Sequence, residues 1–108
     1  MPDRITIRRV KGWRMPPNTR VVTRATVFGN PWTVPQAREA GFEGSDEELQ
    51  ALCVRRFREA MRLGLPAVAT ILARLPELRG KHLACFCKPG TPCHADVLLE
   101  MANKEDTP

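Results

Sequence analysis

The run "ACFCKPGTPCH", residues 84 to 94, gathers three of the chain's four cysteines and one of its two histidines into eleven residues. Thiols and an imidazole held this close can bind a soft metal ion, serve as nucleophile and proton carrier, or simply pack. If residues 83 to 87 form a strand, Cys85 and Cys87 share one face and Phe86 takes the other. The loop "KPGTP" follows, where Gly90 permits a sharp bend. Thr91 is a good helix N-cap and Pro92 suits the first helical position, which puts Cys93 and His94 in the first turn. A helix start offers unpaired N–H groups and a positive dipole end, which attract anions and favour a thiolate. Cys87 and Cys93 are therefore candidate catalytic thiols, and His94 the candidate proton carrier. Asp96 is the candidate to orient that imidazole, although side chains two apart on a helix do not face each other.

Three readings of this stretch stay open. The first is a ligand site, with a phosphate or nucleotide held at the helix start by Gly90 and Thr91 and a thiol or imidazole acting on it. In the second, Cys85, Cys87, Cys93 and His94 form a three-thiolate, one-imidazole zinc site. The ligand types suit zinc, but the usual two-residue gaps between cysteines are absent, and adjacent Cys93 and His94 project roughly 100° apart on a helix. On that geometry the expectation is no bound zinc, with Cys87 or Cys93 partly exposed at a pocket mouth. The third reading is plain packing of small cysteines under a helix. The residues leave open whether the protein is an enzyme, and no cofactor can be read from them.

The elements that must position this stretch come from the rest of the chain. Its 108 residues make one compact domain. The hydrophobic fraction of 43% and charged fraction of 27% are those of an ordinary globular protein. No apolar run is long enough for a membrane span, and "MPDRITIRRV" has no signal-peptide core, so the expectation is a cytoplasmic protein without a membrane partner. Clustered cysteines in that setting point to metal or reactivity rather than disulfides. The net charge of +5 is unevenly spread: residues 1 to 24 hold seven basic groups against one acid, and the remainder ten against eleven. A local basic field attracts phosphates, so the expected partner is a phosphorylated small molecule or nucleic acid.

Ile5 and Ile7 alternate with polar neighbours as in a half-buried strand, and "RVVTRATVF", residues 20 to 28, reads as a second strand. "GNPW" breaks it, since Gly29 and Asn30 tolerate positive φ and Pro31 ends a ladder. A short helix is expected from about Pro35 to Ala40. A longer one starts at Ser45, where Ser45 and Glu48 match a capping box, and ends at Gly64. Leu49, Leu52, Cys53, Phe57, Ala60 and Met61 make its apolar face, so Cys53 reads as core. Pro66 opens the next helix, with Val68, Ile71, Leu72 and Leu75 inward, and Pro76 closes it. "GKHLACFC" is a third strand and the last helix carries Val97, Leu98 and Met101. The order predicts an α/β layered domain with a small sheet of three or more strands, whose C-terminal strand–loop–helix spans residues 80 to 104.

Two segments, "KGWRMPPNTRVVTRAT" with "FGNPW", and "GKHLACFCKPGTPCHADVLLE", resemble the paired signatures of the domain-of-unknown-function family 4326 of phages and bacteria. The resemblance implies membership and carries no activity with it. It also implies that the "GNP" turn and the cysteine stretch belong to one site. Arg14 and Arg24 would then pair with a ligand phosphate or carboxylate, Gly29 would shape the turn, and Asn30 would supply directional hydrogen bonds. Other chemistries fit poorly. In phosphatase-like loops an arginine follows the cysteine, and here Cys93 stands in its place. His94, Ala95 and Asp96 do not reproduce the zinc-deaminase pattern, and no P-loop or dinucleotide fingerprint is present.

Overall fold

A computed structural model describes residues 2 to 104. Its first strand, β1 (Arg4–Thr6), leads through a long loop to β2 (Thr19–Val21). Three helices follow: α1 (Val34–Glu39), α2 (Asp46–Leu63) and α3 (Ala69–Arg74), the last flanked by 3₁₀ turns at Pro66–Val68 and Leu75–Leu78. The strand β3 (His82–Cys85) and the helix α4 (His94–Ala102) complete the expected α/β domain. The sheet has the order β1-β3-β2, and both outer strands run parallel to β3. All three strands therefore end at the same edge.

The helix boundaries follow local chemistry. Ser45 caps α2 by accepting from the Glu48 N–H while the Glu48 carboxylate accepts from the Ser45 N–H, and Gly64 ends the helix in the left-handed conformation at φ 68°. Thr33 and Gln36 form a second capping box at α1, with proline in its first turn. The buried face of α2 is Leu49, Cys53, Phe57, Ala60 and Met61, so Cys53 is core, while Leu52 is only half-buried. This face meets α4, whose Val97 and Leu98 are buried, over a core that also takes in Leu83, Cys85, Val22 and Phe28.

Three expectations need correction. The second strand covers three residues and not nine, because Thr23 accepts from the Thr26 N–H and the Thr26 carbonyl from the Gly29 N–H, folding residues 23 to 29 into successive turns. The third strand ends at Cys85 and not at Cys87, because residues 86 and 87 form a bend, whereas α3 does end at Arg74, just ahead of Pro76. Finally, α4 begins at His94 with Cys93 as its N-cap, and the Thr91 hydroxyl instead donates to the Lys88 carbonyl at 2.6 Å. A tight turn, with Gly90 at φ 81°, consumes the residue expected to cap the helix.

Candidate functional site

A cleft of about 930 Å³ opens at the edge where β2 and β3 end. Thr23 and Arg24, just beyond β2, form one side; Cys85 to Lys88, leaving β3, form another, with Thr91, Pro92 and His94 below the helix start. Asn30, Trp32 and Arg38 come from the turn and α1, and Gln50 from α2. Crevices beyond the carboxyl ends of parallel strands are the usual ligand positions in α/β sheets, because loops from separate strands converge there.

The expected site residues divide. Arg24, Asn30, Cys85, Cys87, Thr91 and His94 line the cleft; Arg14, Gly29, Gly90, Cys93 and Asp96 do not. Arg14 is exposed on the long loop between β1 and β2. Gly29 shapes the turn for a reason other than positive φ: a Cβ placed on it would lie 2.6 Å from the Arg24 Cα. Asn30 is buried and hydrogen-bonded within the protein, its amide donating to the Cys53 carbonyl at 3.1 Å and its oxygen accepting from the Trp32 N–H at 2.9 Å. It fixes the wall of the cleft to α2.

Asp96 does not orient His94. Its carboxylate pairs with Arg4 at 3.0 Å, as the poor facing of positions two apart on a helix requires. The His94 ring is instead set by its Nε2–H, which donates to the Val22 carbonyl at 2.6 Å, and by edge-on contact with Phe57. A carbonyl can only accept, so the proton sits on Nε2 and Nδ1 keeps its lone pair. That nitrogen lies 3.8 Å from the Cys93 sulfur. Burial, partly opposed by the Val22 hydrogen bond, holds the imidazole below its ordinary pKa and therefore neutral.

The sulfurs of Cys85, Cys87 and Cys93 lie within 4.8 Å of one another, and Cys93 approaches Cys85 at 3.3 Å. The convergence that the spacing argued against thus occurs for three of the four proposed ligands, because the turn at residues 88 to 91 folds Cys93 back under the strand end. Cys87 is half-buried at the cleft, whereas Cys93 is 0% exposed and cannot reach a ligand there without movement. S–H donation from Cys87 and Cys93 draws Cys85 far below the ordinary thiol range, and the same bonds push Cys87 and Cys93 above it.

Arg4 and Thr6 are the residues that motif reasoning missed. The Arg4 guanidinium donates to the carbonyls of Thr91 at 2.7 Å and Lys88 at 3.1 Å, and the Thr6 hydroxyl donates to that of Cys87 at 2.9 Å. Their signal was available: in a strand whose Ile5 faces one way, positions 4 and 6 share the other side. The aromatics Trp32 and Phe86 also line the cleft, and Arg9 stacks over the Phe86 ring at 4.6 Å.

A parallel α/β sheet with a thiol-lined cleft at its carboxyl edge defines the structural class. The chain belongs to the family described as Domain of unknown function (DUF4326), whose model matches residues 5 to 104. It is similar to the uncharacterized 12.4 kDa protein in the nrdA-td intergenic region of Enterobacteria phage T4, with 26% identity over 83 residues. That alignment covers 77% of this chain and 66% of the phage protein, just under two thirds of its length. No solved structure matches. Among the described residues, no helix is long and apolar enough to cross a membrane.

Proposed function

We propose that the cleft binds a phosphorylated ligand of nucleotide size, either a free nucleotide or the end of a nucleic acid. The observation that carries this reading is the joint position of Arg24, Lys88, Trp32 and Phe86 around one crevice at the carboxyl edge of two parallel strands. Arg24 and Lys88 have no ion-pair partner among the described residues, so their charges remain available to an anion. Trp32 offers a ring face on which a base can stack, and Phe86, one face of which Arg9 covers, lines the same cleft. The cleft volume falls at the upper end of the range for small-molecule sites. Asp46 and Glu47 also line the cleft, but Asp46 is paired with the lining Arg38 at 2.6 Å, so these two charges offset each other.

Calorimetric titration with nucleoside mono-, di- and triphosphates, with the parent nucleosides alongside, tests the reading. Binding should require the phosphate and weaken roughly tenfold in Arg24→Ala, the loss of about one charge-assisted hydrogen bond. Equal affinity for nucleoside and nucleotide, or no binding to any nucleotide at low salt, would defeat it.

A further inference from the structure

The three converging thiols have donor chemistry and a surrounding framework that packing alone does not call for. Thiolates are soft donors that select zinc, copper(I) and iron–sulfur clusters over hard cations. A tetrahedral zinc ion with bonds of about 2.3 Å places its sulfurs about 3.8 Å apart. In the set formed by Cys85, Cys87 and Cys93, all within 4.8 Å, the Cys85 and Cys93 sulfurs at 3.3 Å need only open slightly and any wider separation close slightly to meet that. An iron–sulfur cubane spreads its thiolates around a multi-atom core and asks for a wider set.

The backbone of each of the three residues is also fixed independently. The Cys85 carbonyl accepts from the Ile7 N–H at 2.7 Å, the Cys87 carbonyl from the Thr6 hydroxyl at 2.9 Å, and the Cys93 carbonyl from the Asp96 N–H at 3.1 Å. Between Cys87 and Cys93 the loop is clamped by Arg4, whose side chain is only 11% exposed. Such outer bonds orient ligands before the metal arrives. A divalent ion with three thiolates carries one net negative charge, and the Arg4 guanidinium lies beside the loop to offset it.

We propose that Cys85, Cys87 and Cys93 bind one thiophilic metal ion of the zinc class, with its fourth position opening on the cleft. Cys85 and Cys87 line the cleft and Cys93 is buried behind them, so the sulfur set borders the crevice, the side from which a fourth ligand can reach the ion. His94 stays outside the set: its Nδ1 is near Cys93 but its ring is anchored on Val22. A three-ligand site with one open position is the arrangement of catalytic rather than structural zinc. The inference stands apart from the nucleotide reading, since the ion can bind whether or not a nucleotide does.

The test uses the full chain, purified reduced and without chelator. Elemental analysis should find about one zinc per chain, and cobalt(II) replacing it should give thiolate-to-cobalt charge-transfer absorption with tetrahedral visible bands. Cys87→Ser, at the half-buried ligand, should weaken cobalt binding roughly a hundredfold or more while circular dichroism stays native. Cys53→Ala, outside the cluster, should leave binding unchanged. Thiocyanate should shift the visible bands if the fourth position is open. Absence of charge-transfer absorption in the reduced protein, or wild-type affinity in Cys87→Ser, would overturn the site. Bands indifferent to thiocyanate would overturn the open position.

Discussion

Arg4 joins the first strand to a loop more than eighty residues away: it donates to Thr91 and Lys88 carbonyls and to the Asp96 carboxylate. Two of these acceptors are backbone carbonyls, which a planar guanidinium fork can reach together and a lysine ammonium cannot. Arg4→Lys should therefore lower stability by about 1–2 kcal/mol and speed amide exchange in residues 88 to 91. Asp96→Asn should cost less than about 0.5 kcal/mol, because the carboxylate side chain is 52% exposed and the pair is screened. Denaturant midpoints of the two variants check this. Equal losses would mean that the ion pair, and not the carbonyl clamp, holds the loop. Gly29 gives a second expectation of this kind. An added Cβ would meet the Arg24 backbone rather than a flexible side chain, so Gly29→Ala should destabilise by about 1–3 kcal/mol. A Gly29→Ala protein as stable as the parent would show that the turn can relax.

At the scale of elements, capping and periodicity were legible because they are local. Ser45 with Glu48 and the left-handed Gly64 delimit α2 by bonds that span only a few residues. The length of β2 was not legible, since the β-branched run at residues 20 to 28 has strand propensity that the turn through Thr23 and Thr26 overrides. The convergence of three sulfurs was hidden for the same kind of reason, as it depends on where β1 anchors a distant loop. The local bonds also set an acid response. The Ser45 hydrogen bonds lower the Glu48 pKa, Arg62 lowers that of Glu59, and Arg74, then Arg20, lower that of Glu77. Each carboxyl has a folded value below its unfolded one, so its contribution is complete above the unfolded value and is lost as pH falls through the folded value. Urea midpoints should be level above about pH 7 and begin to decline as pH falls below the unfolded imidazole value of about 6.5, because burial keeps His94 neutral in the fold while it protonates in the unfolded chain. Below about pH 5 the three carboxyls add a shallow further loss, since these groups are on the surface. Glu48→Gln keeps a capping acceptor without the charge and should flatten part of that decline. A midpoint that rises on acidification would contradict the assignment.

Across the whole molecule, the basic excess of the first 24 residues does not act as one patch. Arg4 is committed to the cysteine loop, Arg20 pairs with Glu77, Arg9 covers Phe86, and only Arg24 of this group lines the cleft. Arg8, Lys11 and Arg14 remain exposed on the segment between β1 and β2. Two kinds of phosphate binding therefore separate by residue as well as by salt. A nucleotide in the cleft meets Arg24 and few other charges, whereas a nucleic-acid strand tracking the exposed segment releases a counterion for each phosphate it neutralises. If the ligand is a nucleotide, Arg24→Ala should cost roughly tenfold in affinity, Arg14→Ala should be within about twofold of the parent, and the logarithmic salt slope should not exceed about two, for Arg24 and Lys88. Anisotropy titrations of a labelled nucleotide and a labelled single strand, each at two salt concentrations, measure all three quantities. A steep slope with equal losses in Arg14→Ala and Arg24→Ala would move the site out of the cleft and onto the basic segment. We expect the single strand to bind weakly and without sequence preference, because a stacking track needs a row of aromatic rings and only Trp13 stands on that segment.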